Sequence, residues 1–284
     1  MSPSNIQDEK AKKFYTLFCE VFTAFHNYAT AKRLSQNQLY SWSLTSYYYS
    51  LMHCGRVICF MSLNCFPKRH EDLHKLLKGI NINNAKFWKL NTPNGEKETH
   101  KFSELINALH EIDNNLEEEK IKQLGEYLEK IKRIREFNSY EMFIVAHQIQ
   151  HGILSPKLKD GTKKIDQIVR DYLTLITRLL FYCAQQRNEY FKAFLLDKNP
   201  KHKWAFEYLK RSLEKQNFDK GIIDEIYKII KENLLDRLSA EVDIDCPDEF
   251  YNKISFGLFN EKSRIINSFI ELLEEIENET DRHS

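Results

Sequence analysis

The run I-K-R-I-R-E-F-N-S-Y-E-M-F-I-V-A-H-Q-I-Q-H, from Ile131 to His151, gathers residue types able to bind a phosphate and move a proton. Arg135 carries a forked guanidinium that can meet two phosphoryl oxygens at once, which a lysine cannot do. Tyr140 and His147 supply groups for proton transfer or substrate contact. Lys132, Arg133, Asn138 and Glu141 stand where they could bind or support a substrate. On a continuous helix, Arg133, Tyr140 and His147 share one face, with His151 a turn further, and Arg135, Asn138 and Met142 share another. The competing reading places Arg133 and Tyr140 at a bundle edge, with His147 a hydrogen-bonded core histidine.

The elements that must position these residues read as helices. Glycine and proline number 8 and 6 in 284 residues, too few for the frequent turns of an all-β chain. Phe14, Leu17, Phe18, Val21, Phe22 and Phe25 form one apolar stripe of a helix over 5–33. Ser35 with Gln38 reads as a capping box opening a second helix to about Asn64, apolar on most faces and ended by Pro67. A short helix over 70–77 follows, then an irregular insertion over 79–100 with a turn at Asn94-Gly95. Further helices are expected over 102–112, from Leu116 toward Gly152, and, after a turn at Asp160-Gly161, over 164–196. Three more patterns cover 201–216, 220–238 and 253–279. The organisation expected is a helical domain over 1–197 and a C-terminal helical subdomain over 198–284.

Other chemistries find little support. The six cysteines form no CxxC pair, and the spacings of His147/His151 and of Cys65, His70 and His74 supply no complete ligand set. The acidic run from Glu241 to Glu249 lacks the glycine and closing glutamate of an EF-hand. There is no Walker A loop, no GxGxxG and no GxSxG. No metal and no cofactor are therefore expected. Ser41 to Phe66 holds too many polar groups for a lipid-facing helix, so no membrane span is expected. The polar N-terminus and the cysteine usage point to the cytoplasm.

The formal net charge of +1 conceals an asymmetry. Residues 240–284 hold 12 acidic and 4 basic side chains, leaving the first 239 residues with a balance of +9. A basic body suits a polyanion, and an acidic tail suits self-screening or a protein partner. A cluster from Arg187 to Trp204 could track a nucleic-acid backbone, although its aromatic spacing also suits helix packing.

An apolar helix delivering Arg135, followed five residues later by Tyr140, resembles the late-helix signature of the HEPN superfamily. The run Ser43 to Met52, with Tyr47-Tyr48-Tyr49, is similar to the aromatic second helix of those domains. His70 to Leu77 is similar to the histidine-led short helix that follows it. The resemblance covers roughly residues 10–197. It implies an all-α, HEPN-like helical bundle with a long insertion that pairs as a homodimer around a shared cleft. It also implies metal-independent endoribonuclease activity on RNA, as in a toxin or phage-defence effector, by an Arg-x4–6-His pair. On that reading Arg135 binds phosphate, Tyr140 and His147 are proton-transfer or substrate contacts, and Asn138 and Glu141 support them. The chain departs from the pattern: the expected histidine positions hold Tyr140, Glu141 and Met142. His147 lies twelve residues from Arg135, about 18 Å along a helix, so only a partner subunit could bring the two together. A literal Arg-x4-His, Arg69 to His74, falls in another element and at a frequency expected by chance. A non-catalytic RNA- or protein-binding module and a helical adaptor are the alternatives.

Overall fold

The computed structural model describes residues 3–89, 92–140, 155–187 and 205–235. Helices dominate: α1 (Pro3–Gln36), α2 (Tyr40–Leu63), α3 (His70–Leu77), α4 (Phe102–Ile112), α5 (Glu118–Tyr140), α6 (Ser155–Arg187), α7 (Ala205–Lys215) and α8 (Lys220–Ile230), the last continuing as a π-helical turn to Leu235. None of these is long and apolar enough to cross a membrane.

The all-α expectation needs one correction. Three antiparallel strands, β1 (Cys65–Pro67), β2 (Ile82–Lys89) and β3 (Thr92–His100), form a sheet in the order β1-β2-β3 where an irregular insertion was expected. Alternation in β2 is hidden by a bulge. Ile82, Ala85 and Phe87 are buried, but Asn84 adopts a left-handed φ of 53° and the register shifts beside it, so the apolar positions fall out of period. Nor does the chain turn at Asn94-Gly95. Lys89 pairs with Thr92, which puts Asn94 and Gly95 inside β3. Phe66 and Trp88 stack at 5.1 Å, and both meet Phe60 of α2 to seat the sheet on the bundle.

Two helix boundaries also differ from expectation. Ser35 and Gln38 end α1 and do not open α2. Gln38 takes a φ of 61°, its N–H donates to Ser35 O, and the Leu39 N–H donates to Leu34 O, the paired bonds of a left-handed C-cap. Asn217 closes α7 in the same way. Nor does Asp160-Gly161 turn the chain. The helix α6 starts earlier, with Pro156 in its first turn, where a missing N–H costs nothing. A Cβ at Gly161 would meet only open space, so the glycine is tolerated inside the helix.

The core sits around α2. Tyr47, Tyr48, Leu51, Val57, Ile58 and Cys59 are fully enclosed by α1, α5 and α6. Leu209, Leu213, Ile222, Ile226 and Ile230 of α7 and α8 join the same hydrophobic cluster, so the described helices beyond residue 200 share the core of the first 197.

Side chains of four helices also meet in a polar knot. The Tyr28 hydroxyl donates to Glu225 and the Tyr47 hydroxyl donates to Asp166. Arg170 bridges Asp166 and Glu225, and Lys32 lies 3.4 and 3.3 Å from the same carboxylates. Two cations balance two anions, and burial beside those anions pushes both tyrosine hydroxyls far above their usual range.

Candidate functional site

Three consecutive tyrosines of α2 divide between two places, because neighbours on a helix are ~100° apart. Tyr47 enters the polar knot, whereas Tyr48 and Tyr49 face α3 and α5. The Arg135 guanidinium lies 5.0 Å from the Tyr48 ring centre and 5.9 Å from that of Tyr49. One Arg135 N–H donates to the Tyr49 hydroxyl at 3.3 Å. The Tyr48 hydroxyl, on its other side, is 3.0 Å from His70 Nδ1 and 3.3 Å from His74 Nε2.

His70 and His74 are four apart on α3 and so share its face. Their placement depends on two glycines. A Cβ on Gly55 of α2 would come within 2.8 Å of Leu77, and one on Gly125 of α5 within 2.6 Å of the Lys78 nitrogen and 2.9 Å of the His74 oxygen. Without side chains at these positions, α3 presses between α2 and α5, and its histidines reach Tyr48.

Burial and nearby cations set the electrostatics of the two histidines, outweighing Glu129 at His74. Burial, then Arg56 and Arg135, push His70 down to about 4. Burial, then Lys132 and His70 itself, push His74 down to about 4. Both imidazoles are neutral at physiological pH. With two neutral imidazoles on one hydroxyl, Tyr48 donates its single proton to one ring and accepts an N–H from the other. The three groups form a short hydrogen-bonded chain beside a guanidinium. Burial holds the Tyr48 hydroxyl up at about 12 while Arg135 opposes that shift, so the tyrosine keeps its proton.

The residues singled out in the sequence fare differently. Arg135 is half-buried in this cluster. Lys132 is half-buried, paired with Glu136 at 3.4 Å, and close enough to depress both histidines. Arg133 points away: it is exposed and pairs with Glu129 at 3.1 Å, so it is not at the cluster. Asn138 and Tyr140 belong to the last turn of α5, whereas Glu141, His147 and His151 lie outside the described residues. The Arg69 to His74 pair is split. Arg69 is exposed and grips Asp72 at 2.8 and 3.2 Å, whereas His74 is buried in the cluster. Tyr48 and Tyr49 were in view only as parts of a similar helix, and His70 as part of another and as a weak metal-ligand candidate; their spacing from Arg135 gives no sign that they meet it.

Family models, curated proteins and solved structures were compared with the chain, and none matches.

Proposed function

We propose that the Arg135 cluster is the centre of a HEPN-type endoribonuclease that works as a homodimer on RNA. The observation that supports this most is the meeting of Arg135, Tyr48, His70 and His74, which puts a phosphate-binding fork beside a relay of proton-carrying groups. In the reaction, a ribose 2′-oxygen attacks the adjacent phosphorus as the bond to the 5′-oxygen breaks. A neutral imidazole takes the 2′-hydroxyl proton, and the proton reaches the departing 5′-oxygen through the other members of the relay or through water. Arg135 meets the charge that grows on the phosphoryl oxygens.

A base held near 4 is weak, but its weakness comes partly from surrounding cations. A bound phosphate screens Arg56, Arg135 and Lys132 and raises the imidazoles toward their ordinary value, so the substrate activates the base. In this assignment His70 and His74 take the role that the HEPN resemblance gave to His147. Tyr140 and His147 keep the roles of proton-transfer or substrate contacts that the resemblance implies.

The full chain incubated with total RNA, beside Arg135→Ala, tests the proposal. Cleavage by the unaltered chain and at least about a hundredfold less by the variant is expected, in line with loss of one transition-state donor. Equal cleavage by both, or none by either, rejects it. Salt-dependent RNA binding without products would leave a binding module, a reading favoured by the low basicity of both histidines.

A further inference from the structure

Away from the Arg135 cluster, the sheet brings together a second set of reactive groups. Among the described residues, Cys65 of β1 and Glu98 and His100 of β3 place one donor atom each within 4.8 Å of one another. Cys65 Sγ is 3.5 Å from His100 Nε2, and Glu98 Oε2 is 2.8 Å from that same nitrogen. The wiring decides between two chemistries. In a nucleophile–base–acid chain the carboxylate holds the far ring nitrogen and leaves the near one for the thiol. Here Glu98 and the thiol both converge on Nε2, and Glu104 stands 3.8 Å from Nδ1, beyond hydrogen-bond reach, so the imidazole is not held as a free base for the sulfur. Convergence on one point is what a metal requires.

We propose that Cys65, His100 and Glu98 form a zinc site that clamps β1 to β3. The ligand types fit a borderline divalent ion and exclude magnesium and calcium, which prefer all-oxygen shells. Tetrahedral bonds of ~2.3 Å to sulfur and ~2.0 Å to nitrogen separate the two donors by about 3.5 Å, the spacing already present. The glutamate oxygen, 2.8 Å from Nε2, stands about half an ångström inside the nitrogen–oxygen separation of a tetrahedral site.

Outer contacts suit the same role. Lys89 holds the other oxygen of Glu98, leaving Oε2 to bind alone. Glu104 lies 3.8 Å from His100 Nδ1 and can accept the proton that must sit there when Nε2 binds metal. Phe87 backs the imidazole at 4.6 Å. Binding exchanges the thiol proton for the metal: a sulfur–zinc bond forms, the sulfur–hydrogen bond breaks and the proton passes to solvent. Water fills the remaining position. Because β1 leads through Arg69 into α3, the ion would fix the start of the helix that carries His70 and His74. The proposal rests on the sheet alone and is independent of the ribonuclease reading.

The full chain, stripped of metal by a chelator under reducing conditions, is titrated with zinc alone and with cobalt(II) alone. Expected are a near-ultraviolet thiolate-to-cobalt band in the unaltered chain, its loss in Cys65→Ser, and zinc binding weaker by at least about tenfold in Cys65→Ser, His100→Ala and Glu98→Gln. Circular dichroism confirms that each variant folds. Should Cys65→Ser fail that check, the near-isosteric Glu98→Gln carries the decision. A cobalt band that survives in Cys65→Ser, or zinc affinity equal in the unaltered chain and Glu98→Gln, overturns the site.

Discussion

Arg135 lies against the ring of Tyr48 at 5.0 Å, while the hydroxyl of that ring lies at hydrogen-bond distance from both His70 and His74. One side chain of α2 thus touches a cation of α5 with its face and two proton carriers of α3 with its tip. Residues far apart in sequence become one site through a single tyrosine.

Removing that hydroxyl separates structure from chemistry. Tyr48→Phe keeps the ring under Arg135 but leaves the buried His74 nitrogen without its partner, a loss of about 1–3 kcal/mol. Chemical denaturation should show this cost, and any RNA cleavage should fall with it. Undiminished cleavage would show that the hydroxyl carries no proton.

The histidines set a pH dependence of stability. Both fold with values pushed down to about 4, below the ordinary value of 6.5, so the unfolded chain binds more protons between those limits. Stability from this source is complete above about pH 6.5 and is lost as pH falls toward 4. Thermal midpoints should decline across that window, and less steeply in a His70→Asn, His74→Gln double variant. A phosphate-containing buffer should raise both histidine values in proton NMR titrations.

Gly125 is the spacer that lets α5 meet α3. Alanine there would drive a methyl group into the Lys78 backbone, costing about 1–3 kcal/mol by overpacking. The variant should lose cleavage more than its stability loss explains, because His74 moves with α3. An alanine variant of ordinary stability would mean that the helices do not approach so closely.

The polar knot predicts a different signature. Asp166→Ala leaves Lys32, Tyr47 and Arg170 facing one another with half their anionic charge gone, a destabilisation of about 1–3 kcal/mol for a part-buried network that solvent screens in part. Denaturation midpoints check this, and the Arg135 cluster should keep its histidine titrations in the fraction that remains folded.

How much of this was legible beforehand differs by element. The helices followed from their apolar stripes, since Leu17, Phe18, Val21 and Phe25 do face the core as their spacing required. The sheet was not legible, because the bulge at Asn84 breaks the two-residue period and β3 is polar for most of its length. Arg135 stood out through its chemical type and local context. Its histidine partners did not, because the approach of α3 to α2 and to α5 depends on two glycines, Gly55 and Gly125, whose role is invisible without the third dimension. Arg69 shows the reverse: it sits at a suggestive spacing from His74, yet Asp72 turns it outward.

The most direct test uses a short labelled RNA and its counterpart with one 2′-hydroxyl removed at the cleaved position. The full chain should cut the RNA to a 2′,3′-cyclic phosphate and a free 5′-hydroxyl, leave the deoxy-substituted strand intact, and lose the activity in both Arg135→Ala and His70→Ala. Cleavage of the deoxy-substituted strand, or unchanged cleavage in either variant, would contradict the assignment of this cluster.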